Sequence, residues 1–264
     1  MKKIVYAIST IGDRINTIDY SRLFLHDDVC YLIIHQSHHI CVIHDSILKL
    51  FSSRDDIHYI PCCEIGLSSS RNIALAKGKL LAEYIFILDD DVSFSIVNTF
   101  KLIQQMMLDN VDIGCCYHKY TNGSSTLKDF NKSKVNYVNA AKISSIDICL
   151  KSQVAEDHRV FFDTNFGLGT NLPSGEEMIF LTDCLKLGFL VYRYPIEVCT
   201  HPPIASGLDF FSSELKVKAK KEMFKRIFGP KYFLFFFLFV LKKLPRAIAA
   251  GYGIYFIKES IFRG

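Results

Sequence analysis

Short apolar runs separated by polar turns recur along most of the chain, and their spacing predicts alternating strands and helices. The runs at 4–8, 30–35 and 84–88 are continuously apolar, which is typical of parallel strands covered on both faces. Further short strands are predicted at 41–44, 58–60, 113–117 and 191–200. The pattern therefore predicts an α/β protein whose mostly parallel sheet is flanked by helices.

Helices are predicted where apolar residues recur every three or four positions. Residues 96–108 show this spacing, and so do residues 66–80, where serines precede the first apolar positions and are expected to cap the helix. A third helix is predicted at 178–187. Ser174 and Glu177 precede it in the spacing of a capping box.

Composition narrows the class of protein. The chain has 264 residues, 50% of them hydrophobic, so it can bury one sizeable core. The formal net charge is +4, and the positive side chains concentrate near the C-terminus, which favours an anionic surface as partner over nucleic acid. The nine cysteines include no CxxC spacing, which indicates buried thiols in a reducing cytoplasm.

Residues 229–264 are predicted to form a helical tail beside a larger domain at 1–228. The apolar run at 232–241 is flanked by lysines and is too short to span a bilayer. Basic flanks around an aromatic-rich segment are typical of an interfacial anchor, so the tail is predicted to lie on the inner, anionic face of the cell membrane. The alternative is a pair of helices that pack on the larger domain or on another subunit.

Three consecutive carboxylates, Asp89, Asp90 and Asp91, directly follow the apolar run at 84–88. Ligands of α/β sheets bind just beyond the carboxyl ends of strands. Adjacent acids repel one another, so the natural partner is a divalent cation that also carries phosphate oxygens, and the alternative is a solvated acidic loop. Arg71, near the start of the preceding helix, is predicted beside a phosphate or in an ion pair.

A second acidic pair, Glu176 and Glu177, stands at the start of the 178–187 helix after a glycine-rich loop. Such a position can hold a carboxylate over a cleft as a general base, although a capping box also explains Glu177. His201 follows the strand at 191–200. It is interpreted either as a metal ligand at a strand end or as an ordinary core or surface histidine.

Five motifs, taken in chain order, resemble those of family-2-type glycosyltransferases with the GT-A fold. They are GLSSSRN at 66–72, DDD at 89–91, FDTNFGLG at 162–169, SGEE at 174–177 and YPIEVCTHPP at 194–203. The resemblance spans most of residues 1–203 and implies a GT-A-like, Rossmann-type mixed sheet. It also implies inverting transfer of a sugar from a nucleotide diphosphate sugar to a hydroxyl of a glycan or lipid-linked acceptor. Bacterial surface-polysaccharide synthesis is the expected setting.

The resemblance also implies roles for individual side chains. The nucleotide sugar is expected to contact Ser9, Thr10, Arg71, Asp89 and Asp90. A Mn²⁺ or Mg²⁺ ion is expected at Asp91, with Asp89 and His201 as further ligands. In that family the second residue of the acidic pair is commonly the catalytic base. Glu177 is therefore the expected base, and Glu176 is its competitor.

Two other functions stay open at the level of sequence. Asp89 to Ser93 approximate the nucleophile motif of haloacid-dehalogenase-type phosphatases, in which the first Asp would form a phosphoenzyme. A non-catalytic, membrane-associated glycan-binding or scaffold protein is the second alternative, because the acidic pair is Glu-Glu where the family commonly has Glu-Asp. The phosphatase predicts covalent phosphate at Asp89, and the scaffold predicts binding without turnover.

Overall fold

A nine-stranded mixed sheet forms the centre of the protein in the computed structural model, which describes residues 1–39, 41–203 and 209–262. The strands of these described residues are β1 Lys2–Ile11, β2 Val29–Gln36, β3 Ile57–Cys62, β4 Ala82–Asp89, β5 Ser93–Phe94, β6 Ile113–Tyr120, β7 Ser133–Lys134, β8 Ile148–Lys151 and β9 Val191–His201. The α-helices of the same residues are α1 Asp45–Ser53, α2 Leu67–Gly78, α3 Ile96–Leu108, α4 Glu176–Lys186, α5 Glu214–Phe228, α6 Tyr232–Ala249 and α7 Gly253–Phe262. The predicted α/β class is confirmed.

The sheet has a parallel half and a mixed half. Its strand order is β3-β2-β1-β4-β8-β6-β9-β5, with β7 pairing to β9 at the side. Strands β3, β2, β1 and β4 run parallel, whereas β8 lies antiparallel between β4 and β6. Ser9 of β1 stands opposite Asp89 of β4. The carboxyl ends of these two neighbouring strands therefore meet at one edge of the sheet.

Two hydrophobic cores, one on each face of the sheet, explain the long apolar runs of β1, β2 and β4. Successive side chains of a strand point to opposite faces of the sheet. Val5 and Ala7 accordingly belong to one buried cluster, and Ile4 and Tyr6 belong to the other. Since both faces of the sheet are covered, the runs at 4–8, 30–35 and 84–88 are buried throughout, and the alternation expected of a half-exposed strand is absent.

Two local predictions are wrong. Residues 41–44 form no strand and lead into α1 instead, because β3 already occupies the free edge of β2 and leaves that segment no neighbour to pair with. The predicted side-chain caps are also absent, since α2 and α4 begin after Gly66 and Gly175 without a capping side chain. Gly175 has φ 105°, a left-handed conformation that suits glycine and that admits no serine cap.

The C-terminal helices pack on the rest of the protein through one side only. Met223 of α5 contacts Gly175, and a Cβ placed at Gly175 would come within 2.7 Å of the Met223 sulfur. Phe236 of α6 and Phe256 of α7 belong to the same buried cluster as the strands. The C-terminal helices thus pack on the larger domain, which was one of the two arrangements expected from the sequence. Large apolar side chains of α6 nevertheless remain exposed. None of the helices in the described ranges combines the length and apolar character that a membrane crossing requires.

Candidate active site

A cleft of about 670 Å³ opens where β1 and β4 end and α4 and α5 begin. Every side chain that the sequence analysis assigned to the nucleotide sugar, the metal ion or catalysis lines it. These are Ser9, Thr10, Arg71, Asp89, Asp90, Asp91, Glu176, Glu177 and His201. They come from β1, α2, the end of β4, α4 and β9, so the fold brings together residues that are far apart in sequence. This is the sheet edge at which ligands of α/β proteins bind.

Asp90 is held by the protein itself. The hydroxyl of Thr10 donates to its carboxylate over 2.7 Å, and Nε of Arg14 donates to the same carboxylate over 2.9 Å. Arg14 also lies 3.4 Å from Asp91. The hydrogen bond to Asp90 raises the pKa of Arg14. The arginine therefore neutralises part of the charge that three neighbouring acids create.

Arg71 joins the two acidic groups of the cleft. Its guanidinium is buried, with ion pairs of 3.0 Å to Glu176 and 3.2 Å to Asp89 and a hydrogen bond of 2.6 Å to the hydroxyl of Ser145. Burial alone would lower the pKa of Arg71, but the carboxylates of Asp89, Glu176 and Glu177 raise it above its ordinary value. The guanidinium thus stays charged and couples the end of β4 to the start of α4.

Adjacent in sequence, Glu176 and Glu177 have different environments. Glu176 is 3% exposed, and one of its oxygens pairs with Arg71. Glu177 is only partly buried and has a pKa raised to about 7, first by burial and then by the charge of Glu176, with Arg71 acting in the opposite direction. A carboxylate with access to the cleft and a pKa near neutrality suits a general base. Glu177 has both properties.

Asp91 and His201 face each other across the cleft. Nε2 of His201 lies 3.6 Å from a carboxylate oxygen of Asp91, whose side chain is 39% exposed. Nδ1 of His201 hydrogen-bonds to the carbonyl oxygen of Pro202, which leaves Nε2 as the ring nitrogen directed at Asp91. An imidazole nitrogen and a carboxylate oxygen in this arrangement are two groups that can bind a divalent cation. Asp89, the expected third ligand, pairs with Arg71 instead, and the described residues contain no group of three metal-ligating His, Cys, Asp or Glu side chains.

His118 is a cleft residue that the sequence analysis missed. Its Nδ1 lies 2.9 Å from the carboxylate of the fully buried Asp147, which also pairs with Arg193 at 3.3 Å. The His118 ring lies 6.4 Å from the ring of His201. His118 lies on β6, Asp147 in a short turn, and Arg193 and His201 on β9, so no local sequence pattern could have linked these four side chains. The network fixes the orientation of a second histidine in the cleft.

Lys220 was interpreted from the sequence as part of a basic C-terminal surface, but the structure places it in the cleft. Burial lowers the pKa of Lys220, and the nearby carboxylates of Glu177 and Glu176 act in the opposite direction. Only the packing of α5 on the start of α4 reveals this position.

Comparison with known structures identifies the fold. The chain has the fold of S. aureus TarS. It matches the crystal structure of TarS 1–349 with a TM-score of 0.61 and 14% identity, over 87% of this chain and 66% of that chain. The complex of TarS 1–349 with UDP-GlcNAc matches with a TM-score of 0.62 and 13% identity, over 87% and 67% of the two chains. No protein-family model and no curated protein matches the sequence.

TarS is a glycosyltransferase, so the chain has a glycosyltransferase-like fold. At this level of identity the likeness concerns the fold. It agrees with the sheet that the five motifs predicted, a mostly parallel mixed sheet flanked by helices with a helical region at the C-terminus. In this sheet the cleft lies at the carboxyl ends of β1 and β4.

Proposed function

We propose that this protein is an inverting glycosyltransferase that moves a sugar from a nucleotide diphosphate sugar to a hydroxyl of a glycan or lipid-linked acceptor. The observation that carries the proposal is the position of Glu177. It combines a pKa of about 7 with access to a cleft that three strand-end carboxylates border. The fold shared with TarS, which has been crystallised with UDP and with UDP-GlcNAc, supports a nucleotide sugar as donor.

In the proposed reaction Glu177 accepts the proton of the acceptor hydroxyl. The hydroxyl oxygen forms a bond to the anomeric carbon, and the bond from that carbon to the diphosphate breaks, so the electron pair leaves with the diphosphate. Because attack and departure occur on opposite faces of the sugar, the configuration inverts. A carboxyl group with a pKa near 7 can accept a proton at neutral pH and release it afterwards.

The residues of the cleft divide between donor and cation in this proposal. Ser9, Thr10, Asp89 and Asp90 border the end of the cleft at β1 and β4 and are the proposed contacts of the nucleotide. Asp91 and His201 are the proposed protein ligands of Mg²⁺ or Mn²⁺. Such an ion would neutralise the charge of the departing diphosphate. Mg²⁺ commonly takes one or two protein ligands and completes its coordination shell with phosphate oxygens and water. Asp91 and His201 would supply the two protein ligands.

Arg71 has a different proposed role from the one expected at first. Its guanidinium is occupied by Asp89, Glu176 and Ser145. We therefore assign it to positioning, since it holds the strand end and the helix start at a fixed separation. The sequence analysis expected Arg71 to bind the diphosphate. The guanidinium is less suited to that role, because N–H groups on both of its terminal nitrogens already donate to protein oxygens.

The proposal extends to an anionic membrane surface, which would bring the enzyme to a lipid-linked acceptor at the inner face of the cell membrane. Five apolar side chains of α6 are each more than half exposed. They are Phe233, Leu234, Phe237, Leu238 and Leu241. Their helical spacing makes one apolar face, and Lys231, Lys242 and Lys243 flank it, as in helices that lie at a lipid interface.

Vesicle flotation tests this partner. The protein should float with phosphatidylglycerol vesicles and much less with phosphatidylcholine vesicles. Phe237→Ser combined with Leu241→Ser should abolish flotation, because both changes remove apolar area from the exposed face. Leu80→Ser is the matched control, since Leu80 is 70% exposed elsewhere. The membrane proposal would be contradicted if the double variant floated with phosphatidylglycerol vesicles as well as the Leu80→Ser control does.

The two alternatives make different predictions for Asp89. A phosphatase of the haloacid-dehalogenase type would require Asp89 as a free nucleophile, whereas here its carboxylate pairs with a buried arginine. The glycosyltransferase-like fold also favours the transferase. A non-catalytic scaffold would have no use for a partly exposed carboxylate with a pKa near 7. Both observations support the enzyme.

The test is a thermal-shift screen against UDP, GDP, CMP and dTDP, each with and without Mn²⁺, followed by nucleotide release from the matching sugar donors. One nucleotide should stabilise the protein when Mn²⁺ is present, by mass action on the folded state. UDP is the first to test because the TarS complexes contain it. Stabilisation by none of the four would overturn the donor site. Covalent phosphate at Asp89 after incubation with a phosphate ester would favour the phosphatase.

A further inference from the structure

Lys220 faces the start of α4. Lys216, Lys220 and Met223 follow one another on α5 at helical spacing and therefore share one side of that helix. Met223 contacts Gly175, immediately before α4, and both lysines line the cleft. The side of α5 that packs against the acidic pair thus carries two cations into the candidate active site.

The two lysines differ in their partners. Lys216 is paired with Asp209 at 2.5 Å and donates to Ser212 over 2.9 Å. Lys220 has no hydrogen bond and no ion pair with any residue in the described ranges, although it is partly buried. The carboxylates of Glu177 and Glu176 act on Lys220 electrostatically without forming an ion pair with it. The three N–H donors of its ammonium group are therefore free to bind an anion.

A second lysine reinforces the positive potential. Lys243 of α6 lies over the ring of Phe210 at 5.2 Å from its centre. Burial lowers its pKa first, and the charges of Arg246, Lys242 and Lys220 lower it further. Lys220 and Lys243 are thus near enough for their charges to repel. An anion with two charges, such as a phosphate group, would relieve this repulsion.

We propose that Lys220, which lines the cleft, forms a subsite for a phosphate group of the acceptor. The inference rests on the proposed function. In an inverting transfer the base and the departing diphosphate lie on opposite faces of the sugar, so a cation beside the base faces the acceptor. Lys220 lies beside Glu177, on the helix that covers the start of α4, whereas the residues assigned to the nucleotide lie at the ends of β1 and β4.

Two other roles would give Lys220 the same position. It could serve only as a counter-charge to Glu177, or it could contact the diphosphate of the donor. A counter-charge needs no external anion. A contact to the donor would be satisfied by UDP. The experiment separates these roles by adding the two anions in turn.

The experiment follows acetylation of individual lysines by acetic anhydride, read by mass spectrometry, in the full chain. Glycerol 3-phosphate is the probe, glycerol is its uncharged match, and UDP with Mg²⁺ fills the donor end of the cleft. Lys101, an exposed lysine of α3 outside the cleft, is the internal control. The rate of labelling of Lys220 should fall about tenfold when the concentration of glycerol 3-phosphate is ~10 times its dissociation constant, because only the ligand-free protein reacts.

Each outcome decides the proposal. Slower labelling of Lys220 with glycerol 3-phosphate, with or without UDP, supports the subsite, and Lys243→Met should raise the concentration needed. Unchanged labelling with the phosphate and with glycerol alike overturns it in favour of the counter-charge. Protection by UDP alone, with no further effect of glycerol 3-phosphate, overturns it in favour of the donor. A failure of UDP to bind would contradict the proposed function but leave the phosphate result readable.

Discussion

The two acidic groups of the cleft contain the same chemistry in different surroundings. At the end of β4, Asp90 and Asp91 share Arg14, whose side chain is 53% exposed, and the side chain of Asp91 is itself 39% exposed. At the start of α4, Glu176 and Glu177 lie beside Arg71, whose side chain is 1% exposed and which also serves Asp89. One group has a solvated cation, and the other shares a buried cation among three carboxylates.

Under the proposed function, this difference would let one cleft both bind a cation and move a proton. The exposed carboxylate of Asp91 lies beside a solvated arginine and is open to a cation from solution. Burial and a neighbouring charge favour the protonated form of Glu177, which suits a group that takes up a proton and returns it. The position of each acid relative to water therefore sets its role. The following predictions test that comparison.

The largest effect is expected at the helix start. Glu177→Gln should lower turnover of the nucleotide sugar by about 10²–10⁴-fold, because the amide cannot accept the acceptor proton. Glu156→Gln, at an exposed glutamate outside the cleft, is the control and should retain wild-type turnover. Nucleotide release measured at saturating donor decides the matter. If Glu176→Gln abolishes turnover and Glu177→Gln does not, the assignment within the pair is wrong.

The next largest effect is expected from Arg71. Arg71→Met should lower the free energy of unfolding by ~3–5 kcal/mol, because it leaves buried carboxylates without a cation. Urea denaturation at neutral pH measures this change. A loss below about 1 kcal/mol would place Arg71 in the class of surface ion pairs and would remove the distinction between the two acidic groups.

The raised pKa of Glu177 gives a pH dependence of known sign. Its folded-state pKa of about 7 lies above the ordinary value of 4.5, so the folded state binds more protons between these values and loses stability as the pH rises through them. Turnover should instead increase as the pH passes about 7, since the base must be ionised. Glu177→Gln should therefore be more stable than the wild type at pH 8 and not at pH 4. Thermal denaturation at both pH values checks the sign.

A smaller and more specific effect is expected at the strand end. Asp91→Asn should remove the dependence of nucleotide binding on Mn²⁺ and should leave unfolding in the absence of ligand nearly unchanged, because Asp91 is the most exposed acid of the three. Thermal shifts with UDP, measured with and without Mn²⁺, give both quantities. An unaltered metal dependence would remove Asp91 from the ligand set.

The smallest effect is expected at Arg14. Arg14→Met should lower the free energy of unfolding by about 1 kcal/mol, since half of its side chain is solvated and Thr10 still donates to the Asp90 carboxylate after the change. The same urea titration as for Arg71 gives the value. The two arginines form a matched pair of variants. Equal losses would show that burial does not distinguish them.

Much of the fold could be predicted from local patterns. The apolar runs at 4–8, 30–35 and 84–88 lie within β1, β2 and β4, and α3 spans the residues that helical spacing indicated. The short strands β5, β7 and β8 escaped prediction, since two to four residues carry no period. The segment at 41–44 was mistaken for a strand because propensity does not report whether a neighbouring strand is free.

The sequence by itself determined most of the acidic residues that border the cleft, because strand ends, helix starts and their acidic residues are local features. Only the tertiary structure decided how those residues share charge. Arg71 and Glu176 are 105 positions apart, and their ion pair is what distinguishes Glu176 from Glu177. The entry of Lys220 into the cleft depends likewise on the packing of Met223 against Gly175. Burial and long-range contacts set these environments, and neither is written in any local pattern.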